Sequence, residues 1–447
     1  AVYNNLTEVA PSGEVIPELA ESFEASADAK TWTFRLRDGI RFHGGQVLEA
    51  ADVAASINHH RGENSSSSAK GIVAPIADIR TPDAKTVVFD LHEGNADFPY
   101  MMTDYHLVIG KQNEGAIDWE NPNGTGGYLF VSHNPGVRMI LKRNPDYWKE
   151  GRAHFDDVEL ISIRDAAARM NALVTGEVDV ISGVDIKSMA LLKRAPDIEI
   201  EQIPGTQHFT FPMWCDTAPF DDVNVRQALK YAIDREMLLK TVLQGHGSIG
   251  KDSPITPANR YFSAELEAKT YDPDRAKSLL KKAGHDRLAV DLSAADAAFI
   301  GAVDAATLFQ ESASGAGIDI NVIREPDDGY WSNVWLKKPF CACYWAGRPT
   351  EDWMFSQVYA ADSQWNDARW KNERFNTLLL EARAELDTAK RAEMYGEMQH
   401  IVADDGGTII PLYANYIDAR NKRIAHGEVS KANALDGWKC IERWWVA

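Results

Sequence analysis

The stretch Val158-Glu-Leu-Ile-Ser-Ile163, then Ala166-Ala-Ala-Arg-Met-Asn-Ala-Leu-Val174, then Gly176-Glu-Val178-Asp-Val-Ile181 reads as strand, helix, strand. The first run is rich in β-branched residues. The second spaces its apolar side chains for one helical face and stops at Gly176. The third is a short apolar strand. Such alternation predicts an α/β protein, a mixed sheet with helices laid on it.

Toward the N-terminus, Val137 to Lys142 reads as a strand closed by Asn144-Pro145, and Ala51 to His60 as a helix. Ser65 to Ser68 reads as a surface loop, and Thr86 to Leu91 as a strand. Trp32, Phe34 and Leu36 alternate with Thr33, Arg35 and Arg37, so one face of that strand is apolar. Asp38-Gly39 then turns the chain and Ile40 and Phe42 resume the alternation, which predicts a hairpin. Beyond about residue 212 the helices lengthen. Val223, Leu229, Ile233, Met237 and Leu238 fall near one face, with Asp221 or Asp222 as cap and Gly245 as stop. Asp272-Pro273 to Gly284 carries N-cap, first-turn proline and terminal glycine in order. Phe375 to Arg383 and Ala389 to Val402 are helices, and Ile409 to Leu412 and Ile417 to Ala419 are strands.

A chain of 447 residues exceeds one ordinary core, so two or more domains are expected. With 45% hydrophobic and 25% charged residues it is a folded protein. Lys plus Arg number 47 against 66 Asp plus Glu, a formal charge of −19. That acidity argues against a broad nucleic-acid face but leaves room for a small anion held by one arginine. No run reaches the roughly 18 apolar residues of a membrane helix. The opening Ala1-Val-Tyr-Asn-Asn-Leu6 has no leader pattern, which leaves a cytosolic protein or one whose export signal has been removed. Cys215, Cys341, Cys343 and Cys440 are too few for a disulfide framework. They read as buried small hydrophobes or one bridge, and their pairing is left open.

The search for chemistry returns little. Gly245-His-Gly-Ser-Ile-Gly250-Lys251-Asp252 nearly fits a phosphate loop. Asp252 stands where a hydroxyl is needed, and a helix precedes the segment where a strand is needed. A mobile Gly-rich connection is the expectation. No H-E-x-x-H or G-x-S-x-G occurs, and His59-His60 reads as a solvated helix end. No carboxylate pair is fixed by spacing. No catalytic residue, metal or cofactor is expected.

Aromatic residues are the stronger signal: 13 Trp, 14 Tyr and 16 Phe, with Trp214, Trp331, Trp335, Trp345, Trp353, Trp365 and Trp370 in the second half. Core packing is the bland account of any single one. Tyr344-Trp345-Ala-Gly347-Arg348-Pro349 is different. A strand ends, glycine frees the backbone, and an indole and a guanidinium are presented together, which suits a ligand with a flat or apolar part and a carboxylate. The competing account of Arg348 is an ion pair with Glu351 or Asp352.

Ile16-Pro-Glu-Leu-Ala-Glu-Ser22, Trp32-Thr-Phe-Arg-Leu-Arg-Asp-Gly-Ile-Arg-Phe-His43 and Ala51-Asp-Val53 together resemble the signature of the family 5 extracellular solute-binding proteins. These are the peptide, nickel and opine receptors of ABC importers. Gly124-Thr-Gly-Gly-Tyr128, Arg143-Asn-Pro-Asp-Tyr-Trp148, Gly176-Glu-Val-Asp179 and Pro219-Phe-Asp-Asp-Val-Asn-Val-Arg-Gln-Ala-Leu229 are similar to four further family segments. Arg226 is expected to tie its helix start to a carboxylate, and Arg143 to pair with Asp146.

The resemblance implies a bilobal, periplasmic-binding-protein-like fold of the large three-part kind, with mixed sheets, flanking helices and two hinge crossings. Residues 1–16 would begin the first main lobe and 17–123 form a small accessory subdomain. Residues 124–211 and 418–447 would complete the first lobe, and 212–417 form the second. The crossings would fall near 210–215 and 416–420. It implies a monomeric receptor, not an enzyme, that closes on a small solute and passes it to a membrane permease. Nickel or metallophore binding is the alternative, and a carbohydrate-active enzyme with an aromatic cleft ranks behind both. It also implies a periplasmic or lipid-anchored location. The expected ligand contacts are Trp345, Gly347 and Arg348, then Trp214 and Phe209, then Tyr330, Trp331 and Asp352.

The sequence departs from the family pattern in three places. Residues normally found ahead of the position of Tyr3 are absent, so the chain is expected to be trimmed or to begin late. Trp214-Cys215-Asp216 replaces an Asn-containing strand. Dipeptide-binding members carry W-x-G-D, whose acid takes the peptide amino group, whereas here Trp345-Ala-Gly347 is followed by Arg348. A guanidinium cannot bind an ammonium, so a carboxylate or other anion is expected there.

Overall fold

The computed structural model describes residues 1–63 and 65–447. The chain forms two compact units, one of Ala1–Glu201, Arg383–Leu386 and Ile417–Ala447, the other of Gln202–Ala382 and Asp387–Tyr416. Two of the passages between them fall inside long strands, Ile198–Pro212 and Thr408–Asn421, and the other two bracket Arg383–Leu386. The first passage lies earlier than the 211/212 boundary expected from the sequence. Residues 17–123 stay with the first unit, where they pack a core around Phe34, Phe89 and Phe98.

In the first unit, Ala20–Ala25, Thr31–Leu36, Thr86–Leu91 and Ile76–Asp83 form an antiparallel sheet in that order. Trp32, Phe34 and Leu36 face inward as their alternation requires. The hairpin expected at Asp38-Gly39 lies elsewhere. Thr31–Leu36 already has neighbours on both sides, so Ile40 and Phe42 bury their side chains from irregular backbone. The tight turn falls at residues 26–30, where the Ser26 hydroxyl and the Lys30 N–H both donate to Asp28 Oδ1 at 2.6 and 3.2 Å.

The strand, helix, strand run is divided between sheets. Asp157–Ile161 joins Arg138–Arg143 and Tyr128–Asn134, whereas Val180–Ser182 pairs with the far end of Thr408–Asn421. Periodicity identifies an element, not its partner. Arg143 pairs with Asp156 at 2.6 Å, not with Asp146, because Asp156 lies at the start of the strand opposite it.

A buried ion network ties three distant parts of this unit. Lys149 Nζ lies 2.5, 2.6 and 3.0 Å from carboxylate oxygens of Glu8, Glu18 and Glu442. Arg443 reaches Glu8 at 2.7 Å and Asp436 at 3.1 Å, and Lys439 reaches Glu18 at 3.3 Å. The three glutamates stand close enough to surround a metal ion. Lys149 occupies that position, and Lys439 and Arg443 balance the remaining charge. Glu18 lies inside the first motif quoted above, and Lys149 directly follows Trp148, the last residue of another. Burial alone would raise the Glu8 carboxyl; Lys439 and Lys149 outweigh it and hold it well below the usual range. Its stabilisation is therefore present above the ordinary carboxylate range and is lost as acid protonates the folded state.

In the second unit, Ile198–Pro212 pairs with Cys343–Trp345. Leu288–Ala294 and Ile318–Arg324 form a parallel pair, with helix Ala302–Ser314 between them in the chain. Asp222 and Asp272 cap their helices as expected, and Gly284 takes φ +82°. A second cap, Asp234, divides the expected long helix into Val223–Ala232 and Arg235–Thr241. Arg226 reaches Asp405, and with Lys230 and Lys269 it donates to the last carbonyls of Thr388–Asp405. Three basic side chains thus sit at the negative end of that helix, although burial pushes Lys230 down to about 7.

The two C-terminal strands read from the sequence form one, Thr408–Asn421. The Gly245 to Asp252 segment is fixed, not mobile. Gly247–Ile249 pairs with Thr408–Asn421, and buried Asp252 takes both carboxylate bonds from Arg235 at 2.8 and 2.9 Å. All four cysteines are free thiols.

Lys149→Met should leave three buried carboxylates facing one another and cost about 3–5 kcal/mol of unfolding free energy, read by urea denaturation. A loss below about 1 kcal/mol would remove the network from the account.

Candidate functional site

The strand Cys343–Trp345 delivers Trp345 opposite His208, and the chain then turns through Ala346, Gly347 and Arg348. A Cβ on Gly347 would lie 1.5 Å from Thr206 Oγ1, so this glycine lets two backbones of the same unit approach closely. Thr350 caps the helix Glu351–Met354, which runs on as a π-helical turn, Phe355–Tyr359. Gln357 of that turn accepts the Nε–H of Arg348. The same guanidinium donates to the carbonyls of Ala346 and Gly347 at 2.9 and 3.2 Å and sits 5.7 Å from the Trp345 ring centre. Arg348 is thereby held in place while remaining partly open to solvent.

Trp345 belongs to an aromatic group. Its ring lies 5.9 Å from Trp335 and 6.0 Å from Trp365, and Trp335 lies 6.0 Å from Trp331, which meets Tyr344 at 5.7 Å. Trp331 and Trp365 are each 42% exposed, whereas Trp345 is only 6% exposed. Beneath the rings lies Asp367. Its Oδ2 accepts the indole N–H of Trp335 at 3.2 Å and of Trp345 at 3.3 Å. Burial pushes its carboxyl up to about 6, and the two indole bonds only partly offset that. Buried His208 is pushed down to about 4, mainly by loss of solvent, so it is neutral at pH 7.

The structure therefore brings Trp331, Trp345, Gly347 and Arg348 together. Tyr330 is 1% exposed and donates its hydroxyl to the Ala342 carbonyl at 2.7 Å, so its side chain serves the core. Asp352 is buried in the first turn of its helix. Phe209 stacks on Phe299 at 4.0 Å. Trp214 has different surroundings: Arg369 stacks on it at 3.2 Å, and that arginine lines a cavity of about 510 Å³ with Cys215, Arg226 and Trp370. Sequence reasoning missed Asp367, Gln357 and Thr206. The density of tryptophan pointed to Trp335 and Trp365, but no spacing pointed to the acid beneath them.

The profile of the bacterial extracellular solute-binding proteins, family 5 (middle region), matches residues 14–367, and the chain belongs to that family. Its role is that of a substrate-binding receptor in ABC transport. The dipeptide-binding protein of Escherichia coli K12 is 26% identical over 466 residues, 95% of this chain and 85% of that protein. The binding protein AgaA of A. tumefaciens R10, solved with agropinic acid, superposes with a TM-score of 0.81 at 25% identity. The superposition covers 100% of this chain and 93% of that one. HbpA2 of Haemophilus parasuis superposes with a TM-score of 0.86 at 22% identity, over 100% and 94% of the two chains.

Because Trp345 is buried and bonded to Asp367, Trp345→Ala should cost about 3–5 kcal/mol of stability. Trp331→Ala, at an exposed ring, should stay within about 1 kcal/mol. Urea unfolding of both variants reads the difference, and equal losses would contradict this division of the aromatic group.

Proposed function

We propose that this receptor captures a small solute bearing a carboxylate and a flat or apolar part, and that Arg348 receives the carboxylate. The observation that carries the reading is the guanidinium held beside Trp345 by Gln357 and two carbonyls, next to the exposed rings of Trp331 and Trp365. A pre-ordered guanidinium loses little side-chain entropy on binding an anion, and its planar fork matches a carboxylate. The exposed indoles offer stacking area to the rest of the ligand. The ligand of AgaA is an acid, which supports the same chemical class for this chain.

Capture removes water from the solute and strengthens its polar contacts. The loaded, monomeric receptor docks on a membrane permease outside the cytoplasm, in the periplasm or tethered by lipid. No bond in the solute is broken, so the protein acts as a carrier and not as an enzyme.

Calorimetric titration with agropinic acid and with an unmodified dipeptide tests the reading. The acid should bind more tightly, and Arg348→Ala should weaken it at least tenfold, about 1.4 kcal/mol. A dissociation constant unchanged by the substitution would refute the role of Arg348.

A further inference from the structure

Asp367 has an arrangement that ligand capture by Arg348 does not by itself require. One carboxylate oxygen receives two indole N–H groups, from Trp335 and from Trp345, and the acid is 3% exposed. Those indoles, Trp345 buried and Trp335 half-buried, back the face that Trp331 and Trp365 expose and that Arg348 flanks. The other titratable groups around it hold their charge between pH 5 and 8. Cys343 on the adjoining strand, Cys341 two residues before it and Tyr359 on the π-helical turn face the acid, and burial pushes all three up, so they stay neutral. His208, opposite Trp345, is pushed down by burial and is also neutral, while Arg348 keeps its cation. Asp367 is thus the group of this set whose charge changes in that range.

We propose that Asp367 is a positioning residue that links the ligand face to protons: ionised, it grips both indoles through charge-assisted bonds and repels an acidic ligand; protonated, it relaxes the grip and the repulsion ends. This rests on the proposed carboxylate-bearing ligand only in its second half. A carboxylate accepts stronger N–H bonds than a neutral carboxyl, so the two indole protons must respond together to one titration. A negative charge held in a poorly solvated region acts on a neighbouring anion far more than it would in water. The acid should therefore bind more tightly as the pH falls, with uptake of one proton.

The test uses the full chain labelled with 15N at tryptophan, followed by NMR from pH 4.5 to 8.5. Of its 13 indole N–H signals, two should move downfield together as the pH rises, with one shared midpoint near 6. Asp367→Asn keeps an oxygen acceptor and should abolish that movement. Trp335→Phe should remove one of the two signals and leave the other titrating. Absence of any pair with a shared midpoint overturns the proposal, as does the same pair titrating in Asp367→Asn. Should that variant fail to fold, the wild-type and Trp335→Phe spectra decide alone.

For the ligand half, agropinic acid should bind about threefold or more tightly at pH 5.5 than at pH 7.5, and Asp367→Asn should flatten the dependence. A pH-independent affinity in the wild type overturns that half. Failure of the acid to bind at any pH overturns the carboxylate reading instead, and the indole titration still decides the role of Asp367.

Discussion

Asp367 Oδ2, where two indole N–H groups meet, is the point on which the aromatic face of the second unit depends. Moving a carboxyl group out of water is costly, and the group stays buried only when hydrogen bonds return part of that cost. Trp335 and Trp345 supply two such bonds, and in doing so their rings are fixed edge-on to the acid. Trp331 and Trp365 pack against those two, and Tyr344 packs against Trp331. The arginine beside them is fixed by other means, through Gln357 and the carbonyls of its own turn. The aromatic face and the proposed anion receptor are thus held by different neighbours within one unit.

The first unit applies the same physics on a larger scale. Glu8, Glu18 and Glu442 come from three separated segments and converge on Lys149. Such a cluster is a poor source of net stability, because the desolvation of each charge opposes the attraction between them. It is a strict matching rule: Glu18 has its partners only if residues near 149 and near 440 are both in place. A carrier that must keep its shape through repeated loading and release is well served by contacts that allow one arrangement.

Much of the fold was legible because its signals are local. Asp222 and Asp272 announce helix starts, and Trp32, Phe34 and Leu36 announce a half-buried strand. What was not legible is partnership across distance. Val158–Ile163 and Val178–Ile181 look like neighbours in one sheet and belong to two, since pairing is decided by packing far along the chain. The phosphate-loop look-alike misled in a similar way, because Asp252 is explained by Arg235 on the preceding helix and by the distant Ile410 N–H. At the proposed site, the sequence order Trp345, Gly347, Arg348 drew attention to the turn where the structure places the indole beside the guanidinium. Tyr330 and Phe209 were not separable from it, since an aromatic residue reads the same facing a ligand or a core. Asp367 left no trace in the sequence: a single acid acquires meaning only from the indoles that converge on it.

The central claim is that an acidic solute is held and handed on chemically intact. Mass-spectrometric identification of the compound that co-purifies with the protein from its source bears on it most directly. The account predicts one small carboxylic acid, recovered at the same mass after prolonged incubation with the protein. An unmodified peptide with a free amino terminus as the main occupant, or a compound whose mass changes during incubation, would contradict it.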